Sequence, residues 1–359
     1  MTFMIAAAGT GGHVFPGLSV GEGLLDLGVS REDILFVGGD RLEATVYPAE
    51  GFRFMSVELA GLKRSLTLDN VRIPMVVSRA RRRIADEIEA NGVRVVLGMG
   101  GYVTVPAALA ARKSRSVFFN AEQNAEAGLA NKITARWAKA SFVAFPGTGG
   151  LPGGVWVGNP VRKVFWSFDR EALRPAALGH YDLDPSIPVI GVFGGSLGAG
   201  VLNDTVAGML EGWQGPPVQV VHLTGVSHFE AMSGRSAAAN VEWHRVGFEE
   251  RMDRFFAVTD LVVSRAGGAV AELTATGTPS VLVPGRFGSG GHQSGNARAL
   301  EGAGAAVIVE EGDLASLAEV VADLVTDAGR RDAMAAATRD IAKPDAARTI
   351  ARTMIEAAK

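Results

Sequence analysis

An apolar strand-like run, a glycine turn and a helix follow one another twice in this chain. The first copy is "TFMIAAAGTGGHVFPGLSVGEGLLDL" (2–27) and the second is "IPVIGVFGGSLGAGVLNDTVAGML" (187–210). Runs apolar at every position suit strands buried on both faces, as in a parallel sheet covered by helices. The pattern recurs in "DILFVGG" (33–39), "VRVVLGMGGYVTVPAALAARK" (93–113) and "SVFFNAEQNAEAGLANKITARWA" (116–138). It returns in "VQVVHLTG", "LVVSRAGGAVAELTATG" and "PSVLVPG". The reading is an α/β chain of two Rossmann-type, doubly wound parallel-sheet halves. The first helix is expected around 17–27.

At 359 residues the chain is long enough for two domains. "PGTGGLPGGVWVGNPVR" (146–162) is rich in Gly and Pro and reads as the connection between them. The expected domains are 1–159 and 160–343, with a helix over 344–359, after Pro344, crossing back onto the first.

With 47% hydrophobic and 20% charged residues the chain can bury a sizeable core. Its net charge of −3 argues against a nucleic-acid partner. Cysteine is absent, so disulfides and thiolate metal sites are excluded. No basic segment leads into an apolar stretch at the N-terminus, and no apolar run reaches about 18 residues, so neither a signal peptide nor a membrane span is expected.

Gly194-Gly195-Ser196-Leu197-Gly198 should point backbone N–H groups at a helix N-terminus, where a phosphate is favoured; the plainer reading is a tight turn. Glu272, after Arg265-Ala266-Gly267-Gly268, can accept from two ribose hydroxyls or be a surface glutamate. His292, Gln293 and Asn296 offer polar groups where a loop enters a helix. Glu122, Gln123 and Asn124 follow an apolar strand, at the end where such sheets bind ligands, or they cap a helix. His13 lies near a helix N-terminus, where the dipole favours the neutral ring that a general base requires. A histidine that fixes the turn is the alternative. Arg72, Arg79, Arg81, Arg82 and Arg83 cluster with Ile73, Met75, Val76 and Val77, and Trp137 with Arg136 and Lys139 can add to them. Such a stretch suits an anionic bilayer surface or a plain solvated helix face.

Seven stretches, in one order, resemble the MurG family of bacterial cell-wall glycosyltransferases end to end. They are "GTGGHVFPGLSV", "GMGGYVTVPAALAA", "AEQNAEAGLANK", "FPG" with "VGNPVR", "GGSLGAGVLN", "SRAGGAVAELTATGTPSVLVP" and "HQSGNA". The resemblance implies the GT-B fold, with two Rossmann-like domains facing a cleft. It implies inverting transfer of N-acetylglucosamine from UDP-N-acetylglucosamine to the C4 hydroxyl of the muramyl sugar of lipid I, giving lipid II and UDP. No catalytic metal and no cofactor are implied. It also implies a peripheral enzyme on the cytoplasmic face of an anionic membrane, with cell-wall or division proteins as candidate partners.

By the same resemblance, His13 is the general base, assisted by Glu122. The donor-binding residues are Thr10, Gly11, Gly12, Asn124, Arg162, Gly195, Ser196, Glu249, Gly268, Ala269, Glu272 and Gln293. Acceptor contacts fall to Gly11, Gly12, His13, Tyr102 and Asn131. The membrane patch is Arg72, Met75, Val76, Arg79, Arg82, Arg83 and Trp137. The chain departs from the family at Leu197, where Gln is usual, at Ala121, where His is common, at Ala8, and at a short 265–272 stretch in which Ala269 stands where Thr is expected. The rival readings are another GT-B glycolipid transferase and a non-catalytic nucleotide-sugar-binding scaffold.

Overall fold

The computed structural model describes residues 2–59, 68–195, 198–285 and 291–359, without the side chains of 68–72. Ser196, Leu197 and the Arg72 side chain therefore lie outside the described residues. The chain divides into two compact units, Met1–Lys163 with Lys343–Lys359, and Val164–Ala342.

The first unit runs β1 (Thr2–Ala6), α1 (Gly11–Asp26), β2 (Ile34–Gly38), α2 (Leu42–Ala49), β3 (Arg53–Ser56), α3 (Leu68–Asn91), β4 (Val93–Gly98) and α4 (Thr104–Lys113), then β5 (Val117–Glu122), α5 (Leu129–Thr134), β6 (Ser141–Val143) and β7 (Val155–Trp156). Its strands form one parallel sheet in the order β3-β2-β1-β4-β5-β6-β7. Every residue of β1 and β2 is buried, because helices cover both faces. The two faces belong to separate apolar clusters. Phe3, Ile5 and Ala7 pack on one side, and Met4, Ala6 and Ala8 on the other, as the two-residue strand period requires.

The second unit runs α6 (Arg170–Tyr181), β8 (Val189–Phe193), α7 (Gly200–Glu211), β9 (Val218–Leu223), α8 (Phe229–Ser233), β10 (Val241–Val246), α9 (Met252–Val258) and β11 (Leu261–Ser264). It continues with α10 (Ala269–Thr276), β12 (Ser280–Leu282), α11 (His292–Gly302), β13 (Ala306–Ile308), α12 (Leu317–Thr326) and α13 (Ala328–Asp340). Its parallel sheet is ordered β10-β9-β8-β11-β12-β13. In each sheet the order reverses beside the first strand of the unit, β1 or β8, and that reversal opens a ligand crevice at the strands' carboxyl ends.

The last helix, α14 (Ala346–Ala357), belongs to the first unit. Ile350, Ala351 and Met354 are buried in the same cluster as Leu24 of α1. Close approach is possible because α1 has Gly23 there; a methyl group on it would lie 2.9 Å from the Ala347 carbonyl oxygen.

Three expectations need correction. The helix expected around 17–27 begins at Gly11 and carries Pro16 within it. Pro16 lies past the first turn, where it cannot donate to the Gly12 carbonyl and its ring crowds that oxygen. The stretch 146–162 is not a free connection. Gly147, Gly150, Gly153 and Gly158 take positive φ in tight turns that bring β7 onto the sheet, and Leu151 is buried with Ala127 and Val143. The helix α3 was expected to face a membrane with Val76. Val76 is buried, on the side of the helix that carries Ala80, Ile84 and Ile88 into the interior, and Trp137 packs against that same core cluster. Met75, 57% exposed, and Arg79, Arg82 and Arg83 remain on the outer face. Among the described residues no helix is long and apolar enough to cross a membrane.

Candidate functional site

In the first unit three loops leave the carboxyl ends of adjacent strands β1, β4 and β5. The β1–α1 loop turns at Gly9, φ 102°, and α1 starts at Gly11, which makes His13 its third residue. The amides of His13 and Val14 both donate to the Thr10 carbonyl, at 3.0 and 3.1 Å. Thr10 Oγ1 lies 3.4 Å from His13 Nδ1. The β4–α4 loop supplies Gly100 and Gly101, φ 85° and 72°. A methyl group on Gly100 would lie 2.9 Å from His13 Cδ2 and 3.0 Å from Nε2, so the imidazole occupies the space that glycine leaves. Thr104 Oγ1 donates to the Gly100 carbonyl at 2.7 Å and holds that turn. Tyr102, from the same loop, is 52% exposed.

Glu122 ends β5 and is buried. Its Oε1 accepts from the amide and the side chain of Asn124, both at 3.0 Å; its Oε2 accepts from the Gly128 amide and from Asn131 Nδ2, both at 2.9 Å. Four donors fill the acceptor positions of a carboxylate. That geometry makes Glu122 the anchor of Asn124 and Asn131 and argues against its expected share in proton transfer. Asn131 also donates to the Ala121 carbonyl at 3.0 Å. The Ala121 side chain points into the hydrophobic cluster, so the departure at this position is met by core packing.

In the second unit five loops gather at the carboxyl ends of β8 to β12. The β8–α7 turn has Gly195 and Gly198 at φ 101° and 74° and leads into the N-terminus of α7. Over it lies His228; a methyl group on Gly198 would sit 3.0 Å from its Nδ1, and one on Gly200 3.3 Å from its Nε2. Gly268 and Ala269 start α10, with Glu272 in its first turn. Gln293 Oε1 accepts from the Gly285 amide at 2.8 Å, and Asn296 Nδ2 donates to the Ala266 carbonyl at 3.1 Å. Arg265 pairs with Glu311 at 2.6 Å and donates to the Val283 carbonyl at 3.1 Å. These bonds tie the β11–α10 and β12–α11 turns together.

Beneath the β8–α7 turn, His222 is fully buried, and burial beside Arg245 pushes its pKa down to about 3. The ring is therefore neutral; its Nε2 meets Asn203 Oδ1 at 3.1 Å while Asn203 Nδ2 donates to the Thr224 carbonyl at 2.8 Å. Glu249, expected among the donor-binding residues, has its carboxylate bonded within its own unit. It accepts from the Tyr181 hydroxyl at 2.6 Å and the Arg251 amide at 2.7 Å, and His180 lies 3.6 Å away. Its neighbour Phe248 is 58% exposed. Among the described residues no three His, Cys, Asp or Glu side chains cluster as a metal site would require.

Sequence reading missed His228, because a lone histidine in a loop carries no signal until the fold sets it on a glycine turn. It also missed Glu43 and Tyr47 of α2, considered below. Arg162 follows the last turn of the first unit and is half-buried.

Two Rossmann-like units, each opening glycine turns and polar side chains at the carboxyl edge of a parallel sheet, give the GT-B type of architecture. The model of the glycosyltransferase family 28 N-terminal domain matches residues 3–143, and that of the family 28 C-terminal domain matches residues 189–350. The chain belongs to glycosyltransferase family 28. A curated relative from Mycobacterium sp. (strain KMS) is 36% identical, covering 100% of this chain and 96% of its own length. One from Listeria welshimeri is 34% identical, covering 99% of each. Both are named UDP-N-acetylglucosamine--N-acetylmuramyl-(pentapeptide) pyrophosphoryl-undecaprenol N-acetylglucosamine transferase. Among solved structures, Acinetobacter baumannii MurG superposes with a TM-score of 0.80 at 27% identity, covering 99% of each chain. A Neisseria meningitidis UDP-GlcNAc 2-epimerase shares the fold, with a TM-score of 0.69 at 14% identity.

Proposed function

We propose that this chain transfers N-acetylglucosamine from UDP-N-acetylglucosamine to the C4 hydroxyl of the muramyl sugar of lipid I, with inversion, releasing lipid II and UDP. The observation that carries the reading is full-length identity of 34–39% to relatives named for that transfer. The His13 setting agrees with it. The hydroxyl oxygen attacks the anomeric carbon as the bond to the UDP oxygen breaks, and His13 takes the hydroxyl proton. Glu122 acts by holding Asn124 toward the donor sugar and Asn131 toward the acceptor. In the second unit Glu272 takes the ribose hydroxyls. Gln293 keeps its amide nitrogen for the sugar while its oxygen holds the Gly285 amide. The N-terminus of α7 and Arg162 are assigned to the charge that develops on the diphosphate. The outer face of α3, with Arg79, Arg82, Arg83 and Met75, is assigned to the anionic bilayer that carries the acceptor, which makes the enzyme peripheral on the cytoplasmic face.

Purified protein given UDP-N-acetylglucosamine and a lipid I analogue should form a disaccharide product, equally with and without chelator. No product with either sample would overturn the transferase reading. Product only with a different acceptor would move the chain to another glycolipid.

A further inference from the structure

We propose that α2 is a clamp that sets the position of His13, with Glu43 and Tyr47 as its positioning residues. The proposal rests on the reading of His13 as the base. Glu43 and Tyr47 are four residues apart and so share one helix face; they are 1% and 0% exposed. Glu43 Oε2 accepts from the Gly9 amide at 3.2 Å, and its Oε1 accepts from the Gly39 amide at 2.9 Å. The Tyr47 hydroxyl donates to the Val14 carbonyl at 3.1 Å. One contact lies just before His13 in the chain and the other just after it.

The surroundings are built to admit this helix face. A methyl group on Gly38 would lie 2.6 Å from Glu43 Cγ, and one on Gly17 would lie 3.1 Å from the Tyr47 hydroxyl oxygen. Phe36 stacks on Tyr47 with ring centroids 4.0 Å apart and fixes the ring. Burial and the charge of Glu43 hold the Tyr47 pKa well above the usual phenol range, so the hydroxyl stays a donor. A buried carboxylate that accepts two backbone amides is well satisfied. It also takes the Gly9 N–H, which in a phosphate-binding loop would face the ligand. The first glycine loop is therefore not a plain phosphate cradle. One of its amides is turned inward to a carboxylate, and the loop is braced to present a side chain. A base displaced by about 1 Å loses up to about a hundredfold in rate, which is the physical reason to brace it.

The test uses Tyr47→Phe, which removes one oxygen and keeps the stacked ring, with Glu43→Gln as the companion. Hydrogen exchange of peptides spanning 9–16 should rise several-fold in either variant, with peptides of the second unit unchanged. Turnover of Tyr47→Phe should fall about tenfold with the KM for UDP-N-acetylglucosamine unchanged. In a His13→Ala background the same substitution should cost nothing further. Unchanged exchange over 9–16 would overturn the clamp, whether or not the enzyme transfers sugar. Loosened exchange with full turnover, or an equal loss in the His13→Ala background, would overturn the positioning of His13. A wild-type protein with no transferase activity sinks the base reading instead, and the exchange experiment still decides the clamp.

Discussion

His13 is held from three sides: by Thr10 on its own turn, by the space left at Gly100, and by the start of α1 that carries its backbone. His13→Ala should retain UDP affinity and lower turnover about 10²–10⁴-fold, as loss of a general base does. Calorimetric titration with UDP beside a product assay checks both halves. His222 makes a different prediction. Its pKa is about 3 when folded and near 6.5 when unfolded, so the unfolded chain binds the extra proton between those values. The stabilisation is complete above about pH 6.5 and falls by up to about 1.4 kcal/mol per pH unit as pH drops toward 3. Urea unfolding at pH 7 and pH 5 should show this slope, and His222→Asn should flatten it.

At the scale of elements, glycine turns decide where side chains meet. Gly100→Ala adds a methyl against the imidazole and strains a residue at φ 85°. Turnover should fall at least tenfold while UDP affinity in the second unit is kept; near-wild-type turnover would show that the ring moves aside freely. Most strands and helices were legible, since fully apolar runs ending in Gly have one good solution in a covered sheet. The 146–162 stretch was misread because Gly and Pro signal turns without saying whether the chain between them is packed. Val76 was misread because an apolar residue on a basic helix looks the same whether it faces lipid or core. Glu122 was legible as a site residue and not as an anchor, because its four partners come from a loop and α5, whose fold no local pattern encodes.

For the whole molecule, the boundary follows packing more than chain order. Residues from Lys343 onward return to the first unit, and Ile350 is fully buried there. Ile350→Ala should destabilise that unit by about 3 kcal/mol through the cavity it leaves. Exchange of first-unit peptides should speed up while those of the second unit do not; equal loosening of both would contradict the division. By itself the sequence determined the class of fold, the two glycine loops and the family, because strand burial, turn chemistry and ordered motifs are written locally. Only the tertiary structure decided that α2 grips the loop before and after His13, that Glu122 is saturated, that Glu249 is engaged by Tyr181, and that the last helix closes the first core. The saturation of Glu122 depends on how the loop after β5 folds back on it, and the other three depend on residues distant in the chain meeting at one place, which no local pattern carries.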